Sequence, residues 1–431
     1  MILLKGGILF DGNSFLEGTS DILVENGRIA EVAPSIERDG ADVIDVKNKL
    51  VCPGFIDIHV HFRDPGFEWR EDICSGANAA ARGGYSTVVA MPNTDPPIDN
   101  APMVEYVLSR SAKAGAARVL PAGCVSSGRK GEVIAELWKM AESGAVFFTD
   151  DGSPIANSDL LRISLLYTRD MGVRIMEHPE DPYLTVKGQV NEGLASSLSG
   201  LKGMPASAEY IDVAKGIALC RETGSPIHFT HVSTAVAMEA ISCAKQEGLP
   251  VTCDVTVHHL SLDEGHIMVS KFDSLYKVNP PLRSKEDVKA MWRYLADGTV
   301  DAIITDHAPW HMDEKDLPFQ ESPFGIASLE CSVAVVMDTW MKMGKPVKLE
   351  KLLHLFTAGP AKLLPEKWRN SLGRLSEGCV ADITVLDPEK AMTVDPDSWQ
   401  SKARNCPWKG ELLSGWPILT MVEGRVVSSA K

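Results

Sequence analysis

From residue 54 onward the chain alternates two patterns of apolar and polar positions. Short apolar runs rich in Val and Ile, bounded by Gly, Pro or Asn, read as buried strands, and longer stretches with apolar residues three or four apart read as helices. Eight strands are predicted: Gly54–His61, Thr87–Met91, Arg118–Ala122, Ala145–Asp151, Val173–His178, Ile227–Val232, Val251–His258 and Val300–Asp306. Helices are predicted between them at Ile73–Arg82, Pro102–Ala114, Gly131–Ser143, Asp159–Met171, Ala208–Thr223, Thr234–Glu247 and Lys285–Ala296. Eight such units describe an α/β chain closed into a (β/α)8 TIM-type barrel better than an open doubly wound sheet.

The flanks differ in style. Residues 1–51 carry short strands around Asp11-Gly12 and Asn26-Gly27 turns, and the stretch from about Leu372 repeats the manner with strands at Ala381–Leu386, Met392–Val394 and Leu419–Arg425. Each half is too small to stand alone. The expectation is one small β-sandwich domain built from residues 1–51 and 365–431, beside a barrel of residues 52–364.

Composition narrows the partners. The chain has 431 residues, 44% of them hydrophobic and 23% charged, a globular balance. Its 43 Lys and Arg against 58 Asp and Glu give a net charge of −15. That balance opposes adhesion to nucleic acid or an anionic membrane, although one local Arg can still hold a small anion. Nine scattered cysteines without a C-x-x-C pair suggest buried, reduced thiols and a cytoplasmic protein. The opening MILLKGGILFDG lacks a signal-peptide core, no 18-residue apolar run follows, and no G-x-G-x-x-G or Walker A string appears.

The chemistry gathers at strand ends. His59 and His61 close the first strand, Asp150-Asp151 the fourth, His178 the fifth, His231 the sixth and Asp306 the eighth. Active sites of such barrels form at this carboxyl-terminal rim. Two histidines two apart on a strand share a face, and imidazole mixed with carboxylate suits borderline ions such as Zn2+. A carboxylate between two such ions would fix their separation, but Asp150 and Asp151 alternate faces and spacing does not choose between them. By parity His228 turns away from His231 and reads as structural. His258 and His259 read as packing residues, and His266 and His354 have no partners. His307 is placed to orient Asp306 or to line the pocket.

The ordered strings PGFIDIHVHFRDPG (53–66), MPNT (91–94), FTDDG (148–152), EHPED (177–181), THVST (230–234), NPPLR (279–283), TDHAP (305–309) and PFGI (323–326) resemble dihydroorotase, the bacterial type I branch of the amidohydrolase superfamily. The resemblance extends to VEGRVV (422–427). It implies a zinc-dependent cyclic amide hydrolase with two Zn2+ per subunit, reversibly closing N-carbamoyl-L-aspartate to L-dihydroorotate with loss of water in pyrimidine (UMP) biosynthesis. His59 and His61 would hold one ion, Asp151 would bridge, and His178 and His231 would hold the second. Asp306 would touch the first ion and carry the catalytic proton to and from a bridging hydroxide. His61, Arg63, Asn93, Asn279, Trp310, Phe324 and Gly325 would face the substrate, with Arg63 and Asn93 on its carboxylate. Many relatives carry a substrate-contacting His where this chain has Trp310, so either His311 substitutes or the contact is lost.

Two other readings compete. A hydantoinase, dihydropyrimidinase or allantoinase would share the fold, but those relatives usually bridge their metals with a carboxylated Lys, and FTDDG offers none. A catalytically silent scaffold for aspartate transcarbamoylase would be expected to have lost ligands that are present here. A homodimer and association with aspartate transcarbamoylase are candidate assemblies. The segment 181–205, long for a loop on this rim, is a candidate lid.

Overall fold

A computed structural model describes residues 1–429. Eight parallel strands follow one another in sequence order: β1 (Phe55–Val60), β2 (Tyr85–Ala90), β3 (Arg118–Gly123), β4 (Phe147–Phe148), β5 (Arg174–Glu177), β6 (Ile227–Phe229), β7 (Val251–Thr256) and β8 (Ala302–Ile304). The seam between β8 and β1 is drawn together by a parallel bridge between Val60 and His307 and by the His61 amide donating to the His307 carbonyl at 2.9 Å. Ile56, Ile58, Val89, Met91, Leu120, Ala122, Phe147, Met176, Ala302 and Ile304 form one fully buried cluster, so the barrel is packed rather than hollow.

All eight predicted strands are present, most of them shorter than predicted, and two of them and one helix depart for identifiable local reasons. The fourth holds the sheet only at Phe147–Phe148, because Asp150 leaves it to accept from the Val125 and Ser126 amides. The seventh ends at Thr256, whose side chain accepts from the His259 amide and starts a helix at Val257–Ser261. The predicted helix at Gly131–Ser143 begins only at Leu137, since Gly131 has a positive φ and Val133, Ile134 and Ala135 pair with the backbone of 125–127 instead. The longest helix not foreseen is Ser332–Lys342, in which Ser332 to Asp338 and Trp340 are all buried. With no polar stripe, its periodicity is silent.

A second sheet joins the flanks. Its order runs from 425–429 through 412–422, 383–393, 50–53, 2–9 and 20–25 to 28–33, with 42–45 also pairing with 2–9. Leu50–Pro53 lies at its centre, parallel to Ile8–Leu9 and antiparallel to Ile383–Leu386. Leu4, Leu9, Ile22, Val24, Val51, Ile383, Val385 and Met421 pack as its own core. All nine cysteines are free, and six of them are buried. No helix among the described residues is long and apolar enough to cross a membrane.

Candidate metal centre and substrate cavity

Four imidazoles and two carboxylates from β1, β4, β5, β6 and β8 meet at the rim, all buried. The His59 and His61 Nε2 atoms lie 3.3 Å apart, and Asp151 Oδ2 is 3.3 Å from the first and 3.4 Å from the second. On the other side His178 Nδ1 and His231 Nε2 are 3.0 Å apart, each near Asp151 Oδ1 at 3.3 and 3.2 Å. One carboxylate thus divides its two oxygens between two histidine pairs. Asp306 Oδ1 joins the first group, 3.0 Å from His61 and 3.7 Å from His59. Asp150 is turned away into a turn with Ser126 and Arg129. Of the two aspartates that spacing left open, Asp151 is the one that lies between the histidine pairs.

Ring nitrogens aimed at one another across 3.0–3.3 Å require a shared proton or a cation between them. The outer nitrogens are already committed: His59 Nδ1 to Thr230 Oγ1 at 2.7 Å, His61 Nδ1 to Asn93 Oδ1 at 2.9 Å and His178 Nε2 to Glu180 Oε2 at 3.3 Å. These contacts fix ring orientation, as the outer partners of metal-bound histidines do. The donor set therefore suits a metal cofactor in both groups.

The electrostatics follow from burial and close charges. Burial opposes a cationic His59, but Asp151, Asp306 and Asp254 overcome it and lift the imidazole to about 9. Burial would likewise raise Asp151, yet His59, His178 and His231 hold it well below the ordinary carboxylate range. Asp306 sits at about 2, because His61, His59 and His231 outweigh its burial.

Two further aspartates shape the strand ends. Buried Asp57 accepts from the His59 amide and from the amide and hydroxyl of Thr305, and buried Asp254 accepts from Thr230 and the His231 amide. The residues that follow those threonines, His231 and Asp306, have φ of 42° and 46°. Left-handed backbone costs a non-glycine residue roughly 1–2 kcal/mol, and such strain gathers at functional sites. Burial raises Asp57 to about 7 despite its donors. Asp57, Asp254, Thr230 and Glu180 were missed from the sequence, although an Asp inside the apolar run FIDIHV is a visible signal of a satisfied buried carboxylate.

A cavity of about 190 Å3 opens onto the centre, lined by His61, Arg63, Asn93, Asp151, His178, His231, Asn279, Asp306, Trp310, Phe324 and Gly325 among others. A larger recess of about 600 Å3 lies elsewhere, beside Arg82, Glu330, Trp399 and Trp416, and holds none of these groups. Arg63 is buried and has no salt-bridge partner among the described residues; its Nε donates to the Pro309 carbonyl at 3.4 Å. Burial and neighbouring Arg70 lower it to about 10, still cationic at neutral pH. Asn279 donates to Glu180 at 2.8 Å, leaving its Oδ1 buried without a partner.

Trp310 lines the cavity, but its only side-chain donor is spent on the Phe324 carbonyl at 2.8 Å, and its ring lies against Arg63 and Arg70 at 5.2 and 4.1 Å. His311 does not take over: its side chain is 52% exposed and caps the short helix Met312–Lys315. Of the remaining histidines, His228 is bound between Thr252 and Asp254, and His354 donates to the Gly12 carbonyl. His307 lies outside the cavity lining, against Glu71 and the Ser328 and Leu329 amides. His258 and His259 pack against each other on a helix rather than a strand, and burial lowers His258 to about 4. The segment 181–205 is not a bare loop: it folds into helices Pro182–Thr185 and Leu194–Ser199 and a two-stranded ladder, tied to Glu264 and Arg283.

Residues 48–237 match the family described as Dihydro-orotase-like, and residues 326–428 match the Amidohydrolase family. A dihydroorotase of Anaeromyxobacter dehalogenans is 44% identical over 99% of this chain and 98% of its own length. Those of Pelotomaculum thermopropionicum and Aquifex aeolicus are 43% and 41% identical, each over 99% of this chain and 98% or 99% of their own. Among solved structures, L-hydantoinase from Arthrobacter aurescens superposes with a TM-score of 0.86 over 99% of this chain and 96% of its own, at 24% identity. That likeness bears on the fold alone.

Proposed function

As this chain belongs to the dihydroorotase family, we propose that it interconverts N-carbamoyl-L-aspartate and L-dihydroorotate on two zinc ions, with Asp306 carrying the proton. The full-length relatives favour this reaction over the hydantoinase and scaffold readings. The single observation that carries the two-ion reading is the division of the Asp151 oxygens between His59–His61 and His178–His231. Those five residues would hold the ions, with Asp306 beside the first pair. When bound, the ions supply an acidified water near neutral pH and polarise the amide carbonyl.

The chain's own groups account for the rest. Arg63, without an acidic partner, grips the substrate carboxylate, and Asn93 turns its carbonyl to His61 while its NH2 remains for the same carboxylate. The unpartnered Asn279 Oδ1 is an acceptor matched to a ring N–H. Asp306, ionised throughout the neutral range, accepts a proton from water and returns it to the departing ring nitrogen in hydrolysis; cyclisation reverses the transfer. The Phe324–Gly325 backbone contacts the ring, whereas Trp310 supports the cavity wall instead of donating to substrate. We divide the chain into a barrel of 52–364 and a small domain of 1–51 and 365–431. A homodimer and binding to aspartate transcarbamoylase are proposals to be tested by sizing the protein alone and with that enzyme.

The decisive experiment pairs metal analysis with dihydroorotate hydrolysis in wild type and Asp306→Asn. Two zinc ions per subunit are expected in both, with turnover reduced about 10²- to 10⁴-fold in the variant. Near-normal turnover would remove Asp306 from the proton path.

A further inference from the structure

Two backbone stretches of the cavity wall, Ala308–Trp310 and Phe324–Gly325, are joined by a residue outside the cavity and far along the chain. Asn405 is fully buried. Its Nδ2 donates to the Ala308 carbonyl at 3.0 Å and to the Gly325 carbonyl at 3.1 Å, and its Oδ1 accepts from the Trp310 amide at 3.1 Å. Both amide hydrogens and the carbonyl are therefore used. The flipped amide would set oxygen against two carbonyls and NH2 against an N–H, so one orientation alone satisfies the site.

The two stretches touch at the point Asn405 spans. Gly325 has φ +142°, and a Cβ there would lie 2.8 Å from Trp310 Nε1 and 3.0 Å from the Ala308 carbonyl. The Gly325 peptide is further held by its N–H on the Lys277 carbonyl at 2.9 Å and by Lys315 Nζ on its oxygen at 3.2 Å. Lys277 and Lys315 belong to the same side of this joint, and neither reaches the Ala308–Trp310 stretch by a hydrogen bond. The stretches also meet directly, through Trp310 Nε1 on the Phe324 carbonyl at 2.8 Å and the Ala308 amide on the Ile326 carbonyl at 2.9 Å; Asn405 is the side chain from outside them, among the described residues, that bonds to both. Its hold extends to Arg63, which donates to the Pro309 carbonyl and lies over the Trp310 ring.

We propose that Asn405 is a positioning residue for the reaction, setting the spacing of the two substrate-facing stretches and, through Pro309 and Trp310, the seat of Arg63. This rests on the reading above that those stretches face the substrate. Among the described residues Asn405 makes no hydrogen bond to a group that would hold a metal, so its loss is expected to act on substrate binding and leave the ions in place. Displacements near 1 Å at such a distance from the chemistry can cost about 10²-fold in rate.

The test uses the full-length, metal-loaded enzyme and measures KM, kcat, metal content and thermal midpoint for N405A, N405D and N405S, with G325A as a reference. N405A is expected to raise KM for dihydroorotate at least fivefold with unchanged metal content. N405D is expected to raise it further, because its second oxygen faces two carbonyls, and N405S to fall between wild type and N405A. A lowered thermal midpoint with KM within twofold of wild type in both N405A and N405D overturns the proposal, since that is what a purely structural residue gives. If G325A leaves KM unchanged, the reading of the wall as substrate-facing fails instead. If G325A raises KM and the Asn405 variants do not, only the positioning role fails. Should N405A not accumulate as folded protein, N405S decides by the same criterion; loss of fold in both overturns the proposal.

Discussion

Glu180 serves three partners with two oxygens: Oε2 faces His178 Nε2 and accepts from Asn279, and Oε1 accepts from Thr185. Burial would raise this carboxyl, but the His178 contact and its other donors hold it at about 2, so it is an anion under all working conditions. Replacing it by Gln keeps the size and removes the charge that fixes the His178 ring. Metal affinity at the His178–His231 pair is expected to fall about 10- to 100-fold, the usual cost of losing a partner behind a metal-binding histidine. Metal content after dialysis against graded chelator checks this, and wild-type retention would refute it. Strand parity and spacing brought His59, His61, His178, His231 and Asp306 to notice because each ends an apolar run. Asp151 could not be told from Asp150 by spacing, since the chain leaves the sheet at Thr149 and parity ceases to apply. Asn405 was illegible, because it acts through contacts 80 and 97 residues away in sequence, and so was the Asn279 side of Glu180, 99 residues away, whereas its contact with His178 spans only two residues.

The barrel elements were legible where strand and helix patterns differ, and failed where burial erased the difference, as in Ser332–Lys342, or where turns interrupted a helical pattern, as before Leu137. Helix Ile73–Arg82 shows a constraint that pattern does not carry. A Cβ on Gly76 would lie 2.4–2.6 Å from the ring atoms of Phe62, the residue after His61. In an exposed helix interior Gly→Ala gains up to about 1 kcal/mol. Here overpacking opposes it with about 1–3 kcal/mol. Gly76→Ala is therefore expected to destabilise by about 1–2 kcal/mol, read from the urea midpoint. A stabilised variant would show that Phe62 yields freely.

At the scale of the molecule, the junction between the barrel and the stretch 400–402 contains a buried carboxyl. Glu330 accepts from the Ser401 amide at 2.9 Å and lies 3.3 Å from Arg82. Burial raises it to about 7, with nearby Glu71 adding to the effect and the Ser401 amide and Arg82 offsetting part of it. Between the unfolded value near 4.5 and about 7 the folded protein keeps a proton that the unfolded chain has released. This group's contribution is thus full below about 4.5 and is lost as pH rises through 7. Glu330→Gln cannot ionise, so it is expected to match wild type near pH 4 and exceed it by up to about 3 kcal/mol at pH 8. Denaturant unfolding across that range measures the difference, and parallel stability curves would refute it.

The second sheet bears on how the molecule is made. Leu50–Pro53 needs Ile383–Leu386 as its neighbour, and Phe55 donates to a Thr384 hydroxyl 329 positions later. Throughout synthesis of the barrel, one edge of Leu50–Pro53 stays unpaired, and an unpaired strand edge is a template for wrong partners. Asn405 emerges later still. A chain stalled on the ribosome before residue 383 would present a near-complete barrel with a sticky flank and an unbraced mouth, the species a holding chaperone would be selected to cover.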